Sequence, residues 1–566
     1  MKLKKLNIPL PLIFLFFIIL STILFRVRLL DVPLERDEGE YAYMGQLILD
    51  GTPPYTEAYN MKFPGIYFIY AGILWLFGET HTAIHFCLLI VNVLSIILLY
   101  IFARTAYDGW VAAASASAFA LLSMSYHVQG FWANAEHFIL PFVIGANILL
   151  LSGLKKSRIN YILFSGILFG CAVLVKQHGA FFGFFGFAAL LILLWQNKMY
   201  NNCRDVQLNV PTDNKNPTPQ NRPKTELLFN KKIYWKYILA YFGGVIIPLL
   251  LCFFYLAYAG VLEKFYLWTF IYAKEYSSII SVRDIKYNFI GGFQSIWYFA
   301  SLIWIIAGVG FITLFSSKYN KQPGILIIGL LIAGIIALSV GFYFRPHYFI
   351  LVLPAAALLF GIGIRFIFYI FSSASLPIVR YFPPIFTVMI TILGTLAAHW
   401  DVLYQFSPIE VTQTVYPLYP FPYSLRIAEI IRERTSKEDR IAIIGNEPQF
   451  LFYSQRRSAT SFMYTYSLGE NQPLAEQFRF EMIQQVESAL PKILVFTNIQ
   501  PEWYKKPKGW EELDKWFFSF AKLHYTPIAR FEYNSIKDTL LITDTNSLLK
   551  KPTHVFWITI YEKKNL

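Results

Sequence analysis

Four acidic residues occupy positions where acids are energetically costly, in a chain that is 56% hydrophobic. Asp37, Glu38 and Glu40 follow the first long apolar segment, and Glu136 lies beside the apolar segment 137–151. An ionised carboxylate near hydrocarbon loses its hydration, so acids at membrane level are functional by default. Carboxylates can accept a proton or hold a cation. Their placement predicts a catalytic or transport site embedded in a membrane.

Basic and polar side chains stand at similar places, at the ends of other apolar segments. They are Lys62, Lys176, His178, Arg345, His347 and Tyr348. Cations at the level of lipid headgroups bind phosphate through charge and hydrogen bonds. Taken alone, each Lys or Arg is better explained as an anchor to anionic headgroups. For His178, a hydrogen-bonded structural role is favoured over that of a ligand or proton shuttle.

The three clustered acids precede a helical stretch that Asp50 and Gly51 end, so they lie at the positive end of a helix dipole. Capping by solvated acids explains Glu38 and Glu40 as well as a functional role does. Asp37, beside Arg36, is the acid for which a role in a site is favoured.

Composition defines the class of protein that positions these residues. The chain has 566 residues, is 18% aromatic and only 15% charged, and its mean hydropathy is +0.46. Such a chain is a polytopic membrane protein. Its net charge of +14 is not massed in a basic domain, so nucleic acid is excluded as the expected partner. None of the four cysteines pairs with another at a metal-ligand spacing.

Eleven apolar segments are long enough to cross about 30 Å of hydrocarbon. They lie near 8–25, 81–103, 110–127, 134–153, 159–175, 179–195, 237–259, 290–315, 323–343, 347–371 and 379–399. The first is expected to be an uncleaved membrane helix that starts in the cytoplasm. Lys and Arg then collect in the loops expected inside, above all in a flexible cytoplasmic loop at 196–236.

The apolar residues 64–77 are too few to span a membrane comfortably. We expect them to form an interfacial helix in a first outer loop, 26–80, because a crossing there would reverse the charge pattern of the later loops. The aromatic residues around this helix are expected to anchor it at the interface. This arrangement brings the acids and cations to one outer face, as an active site requires.

After residue 399 the charge density rises, and residues 400–566 are predicted to form a soluble α/β domain outside the membrane. Strands are predicted at 440–444, 493–496, 539–543 and 555–561, and helices at 424–433 and 473–490. Solvated structure is the favoured explanation of its polar run Glu447, Gln449, Tyr453, Arg456 and Arg457.

The order of five motifs carries a resemblance to a known family. RDEGEYAYMGQLILDG, MKFPGIYF, NAEHF, KQHGAFF and RPHYFILVLP succeed one another in the chain. The chain thereby resembles the GT-C integral-membrane glycosyltransferases, and among them the protein O-mannosyltransferases and aminoarabinose lipid A transferases of glycosyltransferase family 39. The similarity spans most of 30–365, and residues 445–464 resemble the outer domain of bacterial members.

The resemblance implies a role for several residues. Asp37 matches the proposed catalytic base, or a group that binds acceptor or metal, and Glu136 matches an acid that helps to hold a divalent cation or the acceptor. Lys62 matches the lysine that contacts the phosphate of the carrier lipid, and Arg345 falls in a segment that binds the same phosphate. Met61 stands where many bacterial relatives carry Glu, so a metal at Asp37 and Glu136 stays open.

These residues suit one chemistry in particular. A polyprenyl phosphate is a good leaving group, and its departure needs cations such as Lys62, Arg345 and Lys176. An acceptor hydroxyl must lose its proton as an oxocarbenium-like sugar forms, and a carboxylate such as Asp37 can accept that proton. Glu38, Glu40, His178, His347 and Tyr348 are candidate accessory residues.

The expected protein is a GT-C helical bundle of 1–399, with about 11–13 transmembrane helices, followed by the outer domain. It is expected in the cytoplasmic membrane, where it transfers a hexose or pentose from a donor linked to undecaprenyl phosphate or a similar lipid. The acceptor is a lipid, a glycan or a protein of the envelope. A transporter or flippase for a lipid-linked or anionic substrate is the alternative, and a non-catalytic assembly factor is a third. The sugar, the acceptor and the oligomeric state are open.

Overall fold

The structure is a computed structural model that describes residues 9–208, 231–316, 321–498, 508–535 and 538–564. Its first part is helical. In chain order the helices are α1 (Leu10–Arg28), α2 (Arg36–Leu49), α3 (Gly65–Phe77), α4 (His81–Ala106), α5 (Gly109–Ser123), α6 (Ala135–Lys156), α7 (Ile159–Val175), α8 (Gly179–Leu208), α9 (Lys231–Tyr258), α10 (Leu262–Tyr266), α11 (Ala273–Ser277), α12 (Val282–Thr313), α13 (Lys321–Ser339), α14 (Leu353–Phe371) and α15 (Pro377–Ala398).

Within the described ranges, nine helices are long and apolar enough to cross a membrane. They are α1, α4, α6, α8, α9, α12, α13, α14 with the turns before it, and α15. Two further apolar helices, α5 and α7, are shorter, with 15 and 17 residues. Together these helices coincide with the eleven predicted segments, and they confirm a polytopic helical architecture.

Helices α2 and α3 lie in the segment that connects α1 to α4. Helix α3 has 13 residues, too few to span hydrocarbon, and it packs against α2 with Ile66, Tyr67 and Tyr70 buried. Tyr55 and Tyr59 are buried too. The aromatic residues of this loop were predicted to anchor at the interface, and for these tyrosines the prediction was wrong, because they pack inside the protein.

The predicted loop 196–236 is shorter than expected. Helix α8 continues to Leu208 and α9 begins at Lys231, so both helices extend into it. The remainder, residues 209–230, lies outside the described residues.

The C-terminal region, residues 400–564 as far as they are described, carries a sheet. Its helices are α16 (Pro408–Val415), α17 (Ser424–Glu433), α18 (Gln449–Ser454), α19 (Tyr466–Gly469), α20 (Ala475–Ala489), α21 (Lys508–His524) and α22 (Thr545–Leu548). Its strands are β1 (Ile441–Ile444), β2 (Ile493–Asn498), β3 (Tyr525–Ser535), β4 (Asp538–Ile542) and β5 (Phe556–Lys563). The strand order is β1-β2-β5-β3-β4. Only the β1–β2 pair is parallel among the pairs described.

Four of these strands and two of these helices were predicted, and their existence is confirmed. Strand β3 was missed because Pro527 interrupts the alternation of its buried residues Tyr525, Ala529, Phe531 and Tyr533. Helix α21 was missed although its buried residues Leu513, Phe517 and Ala521 recur at helical spacing. The boundary predicted at residues 399 and 400 stays a prediction.

The C-terminal region packs against α2. A Cβ on Gly39 would lie 2.6 Å from the backbone nitrogen of Gln449, so only glycine permits this approach. The Leu34 N–H donates to the Tyr453 hydroxyl at 2.9 Å, and the Arg36 side chain donates to the Asn446 carbonyl at 2.7 Å.

The polar run of the C-terminal region was predicted to be solvated, and for most of its members that was wrong. The buried members are Glu447, Gln449, Tyr453 and Arg456. Glu447, Gln449 and Tyr453 contact α2 or the residues just before it rather than facing solvent. Arg456 instead donates to the hydroxyl and the carbonyl of Thr435 within the C-terminal region.

Candidate functional site

Helix α2 presents Asp37 in its first turn because Glu35 caps the helix. The Glu35 carboxylate accepts from the Glu38 N–H, and the Glu38 carboxylate accepts from the Glu35 N–H, which forms a capping box. Asp37 lies two residues before the C-terminal contact at Gly39, and its side chain keeps 24% of its surface exposed. A ligand can therefore reach this carboxylate.

Lys62 lies beside Asp37 because α3 packs closely against α7. A Cβ on Gly65 would overlap the Leu174 carbonyl, so glycine lets the start of α3 rest against the end of α7. The Gln177 side-chain amide donates to the Met61 carbonyl at 2.6 Å. Together these contacts place Lys62 and Lys176 on the same side of the helix bundle.

The Lys62 ammonium bridges two carboxylates. Its Nζ lies 3.0 Å from Asp37 Oδ1 and 2.8 Å from Glu40 Oε2, and it stands 4.6 Å from the centre of the Tyr41 ring. Burial alone would raise the pKa of Asp37, but the positive charges of Lys62, Lys176 and Arg345 outweigh it and lower this pKa. Asp37 is therefore ionised at neutral pH.

The pKa values of Glu40 and Lys62, the other two groups of this bridge, are both raised. Burial raises the pKa of Glu40, although the Lys62 charge opposes the change. Burial alone would lower the pKa of Lys62, but Asp37 and Glu40 together raise it. The bridge therefore keeps its ammonium charged over the physiological range.

His347 and Arg345 approach from the segment before α14. His347 Nδ1 lies 2.7 Å from Gln129 Oε1, which favours a proton on Nδ1. His347 Nε2 is buried without a hydrogen-bond partner and lies 3.9 Å from Asp37 Oδ2. The Arg345 guanidinium stands 5.4 Å from the centre of the Tyr343 ring and 3.5 Å from the Tyr276 hydroxyl.

Lys176 and Glu136 form a second, more deeply buried ion pair. Lys176 Nζ lies 2.5 Å from Glu136 Oε1 and 4.7 Å from the centre of the Tyr348 ring. Glu136 Oε2 is buried without a hydrogen-bond partner, and so are both ring nitrogens of His178, whose ring lies 5.6 Å from that of Tyr348. The hydrogen-bonded structural role favoured for His178 was therefore wrong. Burial, together with the nearby Lys176 charge, lowers the pKa of His178. Because buried polar atoms normally have hydrogen-bond partners, a polar ligand bound at this place would satisfy them.

Glu38 lies apart from this site and connects neighbouring elements of the fold. Its carboxylate is buried and accepts from the Ala133 N–H, and it contacts His85 Nε2 at 2.9 Å. These contacts tie α2 to α4 and to the turn before Glu136. The capping role considered for Glu38 is confirmed by the capping box. The solvated position considered for Glu38 and Glu40 is wrong, because both acids are fully buried.

The described side chains do not fit a metal held by several protein ligands. Among them, no group of three or more His, Cys, Asp or Glu side chains converges as such a site would need. Asp37 and Glu136, the acids considered as metal ligands, each face a lysine ammonium instead. What the arrangement offers is an accessible carboxylate surrounded by cations, which suits an anionic substrate.

Three residues that hold the side chains of this site were not predicted from the sequence. The Tyr67 hydroxyl donates to Glu40 Oε1 at 2.8 Å, the Tyr464 hydroxyl donates to Glu40 Oε2 at 2.9 Å, and Gln129 holds His347. Tyr464 is the last residue of the segment that resembles an outer domain, which is the one sequence signal that pointed to it.

Comparison of the chain with known proteins gives a partial family match. Residues 61–205 match the family described as dolichyl-phosphate-mannose-protein mannosyltransferase. The matched part contains Lys62, Glu136, Lys176 and His178. No curated protein matches the chain in sequence.

Solved structures match nearly the whole chain. The structure of ArnT from Cupriavidus metallidurans bound to undecaprenyl phosphate is 13% identical, and the match covers 95% of this chain and 99% of that one with a TM-score of 0.56. The archaeal oligosaccharyltransferase AglB from Archaeoglobus fulgidus, in complex with an inhibitory peptide and a dolichol-phosphate, is 12% identical. That match covers 96% of this chain and 75% of AglB, with a TM-score of 0.52.

These likenesses define the class of fold. The chain has the GT-C fold of multi-pass membrane proteins, and the resemblance seen in its motifs is confirmed at this level. The ends of α2, α3, α6, α7 and α14 that carry the site residues meet at the end of the bundle covered by the C-terminal region.

Proposed function

We propose that this protein is a glycosyltransferase that transfers a sugar from a polyprenyl-phosphate donor to an acceptor of the cell envelope. One observation carries the proposal: the ionised, accessible Asp37 carboxylate lies 3.0 Å from Lys62, within the electrostatic reach of Lys176 and Arg345. A carboxylate for the acceptor and cations for a phosphate thus meet at one place.

The cations of the site can stabilise the phosphate as it leaves the sugar. When the bond between sugar and phosphate breaks, negative charge grows on the departing phosphate oxygen, and fixed positive charge stabilises it. Lys62 offers three N–H donors, and two of them face Asp37 and Glu40. The third is available to a phosphate oxygen, and Arg345 supplies a planar guanidinium nearby.

Asp37 takes the proton of the acceptor. Its low pKa makes it a weak base in the free protein, but an anionic phosphate bound beside Lys62 would offset the charges that lower this pKa. The carboxylate then gains basicity when the donor is bound. Its negative charge also stabilises an oxocarbenium-like sugar, and direct attack by the acceptor inverts the sugar carbon.

Lys176 and Glu136 work as a pair in this scheme. Glu136 holds the Lys176 ammonium in place, so its role is to orient a cation rather than to bind a metal. His347 Nε2 and His178 present buried nitrogens that can bond to hydroxyls of the sugar or the acceptor.

The comparisons support this function over transport. The matched ArnT structure contains undecaprenyl phosphate, and the matched family is described by its dolichyl-phosphate-mannose donor. Transporters generally place substrate charges near the bilayer midplane between repeated halves, whereas the charges here stand at helix ends under the C-terminal region. We further propose that the donor is linked to undecaprenyl phosphate and that the site faces the outside of the cytoplasmic membrane.

Transfer from a panel of radiolabelled polyprenyl-phosphate sugars tests the proposal. Purified wild-type and Asp37→Asn proteins receive each donor together with membrane extract as acceptor. We expect the wild type to label the extract from at least one donor, and the variant to lose transfer while still binding the donor. Asp50→Asn, at the exposed opposite end of α2, is the control and should keep full transfer. If the wild type transfers from no donor but moves the lipid across vesicle membranes, the protein is a flippase.

A further inference from the structure

Glu40 is a buried acid whose carboxylate accepts from three donors, with at least one donor on each oxygen. It is fully buried. Tyr67 donates to its Oε1 at 2.8 Å, while Lys62 and Tyr464 donate to its Oε2 at 2.8 and 2.9 Å. Glu40 therefore does not face substrate, and its contact with the reacting groups runs through Lys62.

Tyr464 comes from the C-terminal region, far from α2 in the chain. Its segment is fixed, because Asn446 Oδ1 accepts from the Thr465 and Tyr466 N–H groups at 2.9 and 3.1 Å. The same Asn446 accepts from Arg36 through its carbonyl. The Tyr464 hydroxyl also lies 3.2 Å from the Arg36 carbonyl, but the charged Glu40 oxygen is closer and is the stronger acceptor.

We propose that Tyr464 is a positioning residue of the active site, through which the C-terminal region fixes Glu40 and thereby the Lys62 ammonium beside Asp37. The inference rests on the proposed function and adds a role for the C-terminal region in the reaction.

The physical reason lies in the freedom of a lysine side chain. Lys62 ends a flexible four-carbon stem, and Asp37 alone would hold it from one side only. Glu40 holds it from the other side, and Glu40 is itself held at both oxygens by Tyr67 and Tyr464. Without the Tyr464 hydroxyl, the Glu40 carboxylate is free to rotate. The Lys62 ammonium that it holds then no longer has a fixed position beside the departing phosphate.

A double-mutant cycle separates this role from general support of the fold. The variants are Tyr464→Phe, Glu40→Gln and the combination of both, each assayed for kcat/KM with the donor that the wild type uses. We expect Tyr464→Phe to lower kcat/KM about ten-fold, the scale of one hydrogen bond to a charged group. We expect it to have little further effect in the Glu40→Gln background, because its action passes through Glu40.

Tyr43→Phe is the matched control. The Tyr43 hydroxyl accepts from the Ser458 N–H at 2.8 Å, so this change removes a hydrogen bond between α2 and the C-terminal region without touching Glu40. We expect wild-type kcat/KM for Tyr43→Phe. Equal losses in Tyr43→Phe and Tyr464→Phe, or full additivity of Tyr464→Phe with Glu40→Gln, would overturn the inference.

The pH profile gives a second readout. Glu40 interacts electrostatically with several titratable groups around it: Lys62, Asp37, Tyr67, Tyr464, Tyr41, Tyr55 and Tyr466. Loss of the Tyr464 donor destabilises ionised Glu40, so the fall of kcat/KM on the acid side should move to higher pH in Tyr464→Phe and stay in place in Tyr43→Phe. An unmoved profile contradicts the inference.

Binding of undecaprenyl phosphate keeps the inference testable without turnover. We expect Tyr464→Phe to bind this lipid several-fold more weakly than the wild type and Tyr43→Phe to bind it equally. If the wild type transfers no sugar but this difference holds, the proposed function fails while the positioning of Lys62 stands. If the wild type transfers sugar and the three proteins bind the lipid alike, the positioning role fails.

Discussion

Lys62 is held between Asp37, at 3.0 Å, and Glu40, at 2.8 Å, so one ammonium serves two carboxylates of the same helix. Asp37 is partly exposed and Glu40 is not. Since the two acids differ in access, they are suited to different roles. Asp37 can meet an acceptor, whereas Glu40 keeps the cation in place.

Lys62→Met should lower kcat/KM by about 100-fold or more, because a preorganised charge on the leaving group is removed. The measurement is initial transfer rates over a range of donor concentrations. Lys264→Met is the matched control, since Lys264 also pairs with an acid, Glu481 at 3.5 Å, and stands over a tyrosine ring. Equal effects of the two changes would remove Lys62 from the site.

The acid side of the wild-type pH profile should belong to Glu40. Burial raises the pKa of Glu40, while Lys62 and the other cations lower that of Asp37 against the effect of burial. As the pH falls, Glu40 therefore takes up a proton before Asp37 does, and its hold on Lys62 weakens. We expect the residual kcat/KM of Glu40→Gln to lose the fall that the wild type shows on the acid side. A fall of the same shape in both proteins would assign it to another group.

The convergence of the site residues was predictable from the sequence. Hydropathy located the helices, and the distribution of Lys and Arg assigned each helix end to a side, so Asp37, Lys62, Glu136, Lys176 and Arg345 fell on one face. The structure brings these ends together. Their individual roles in the reaction stay predictions.

Pairing within the site was not predictable. No spacing in the sequence indicates that Glu136 faces Lys176 or that Glu40 shares Lys62. Tyr464 is 424 positions away from Glu40, and a contact of that separation leaves no periodic signal in a single sequence. The burial of Glu447 and Gln449 was missed for the same reason, because polar residues that cover another element look like solvated ones.

The Glu136–Lys176 pair predicts a non-additive effect on stability. Removing one member leaves the other charge buried without its partner, which costs about 3–5 kcal/mol. Glu136→Gln and Lys176→Met should therefore each lower the melting temperature in detergent, and the double variant should recover much of the loss. The double variant should still lack transfer, because the cation is absent. Additive losses of stability would mean that the two side chains do not depend on each other.

The contact between α2 and the C-terminal region can be tested at Gly39. A Cβ there would lie 2.6 Å from the Gln449 nitrogen and 2.7 Å from its Cα, so Gly39→Ala must push the C-terminal region away from the helix that carries Asp37 and Glu40. We expect a lower melting temperature and lower transfer. Gly72→Ala is the matched control, because Gly72 also lies inside a helix but has no atom within 4 Å of the added Cβ. That change should be neutral or stabilise by about 0.5–1 kcal/mol. Normal transfer by Gly39→Ala would mean that the reaction does not need this contact.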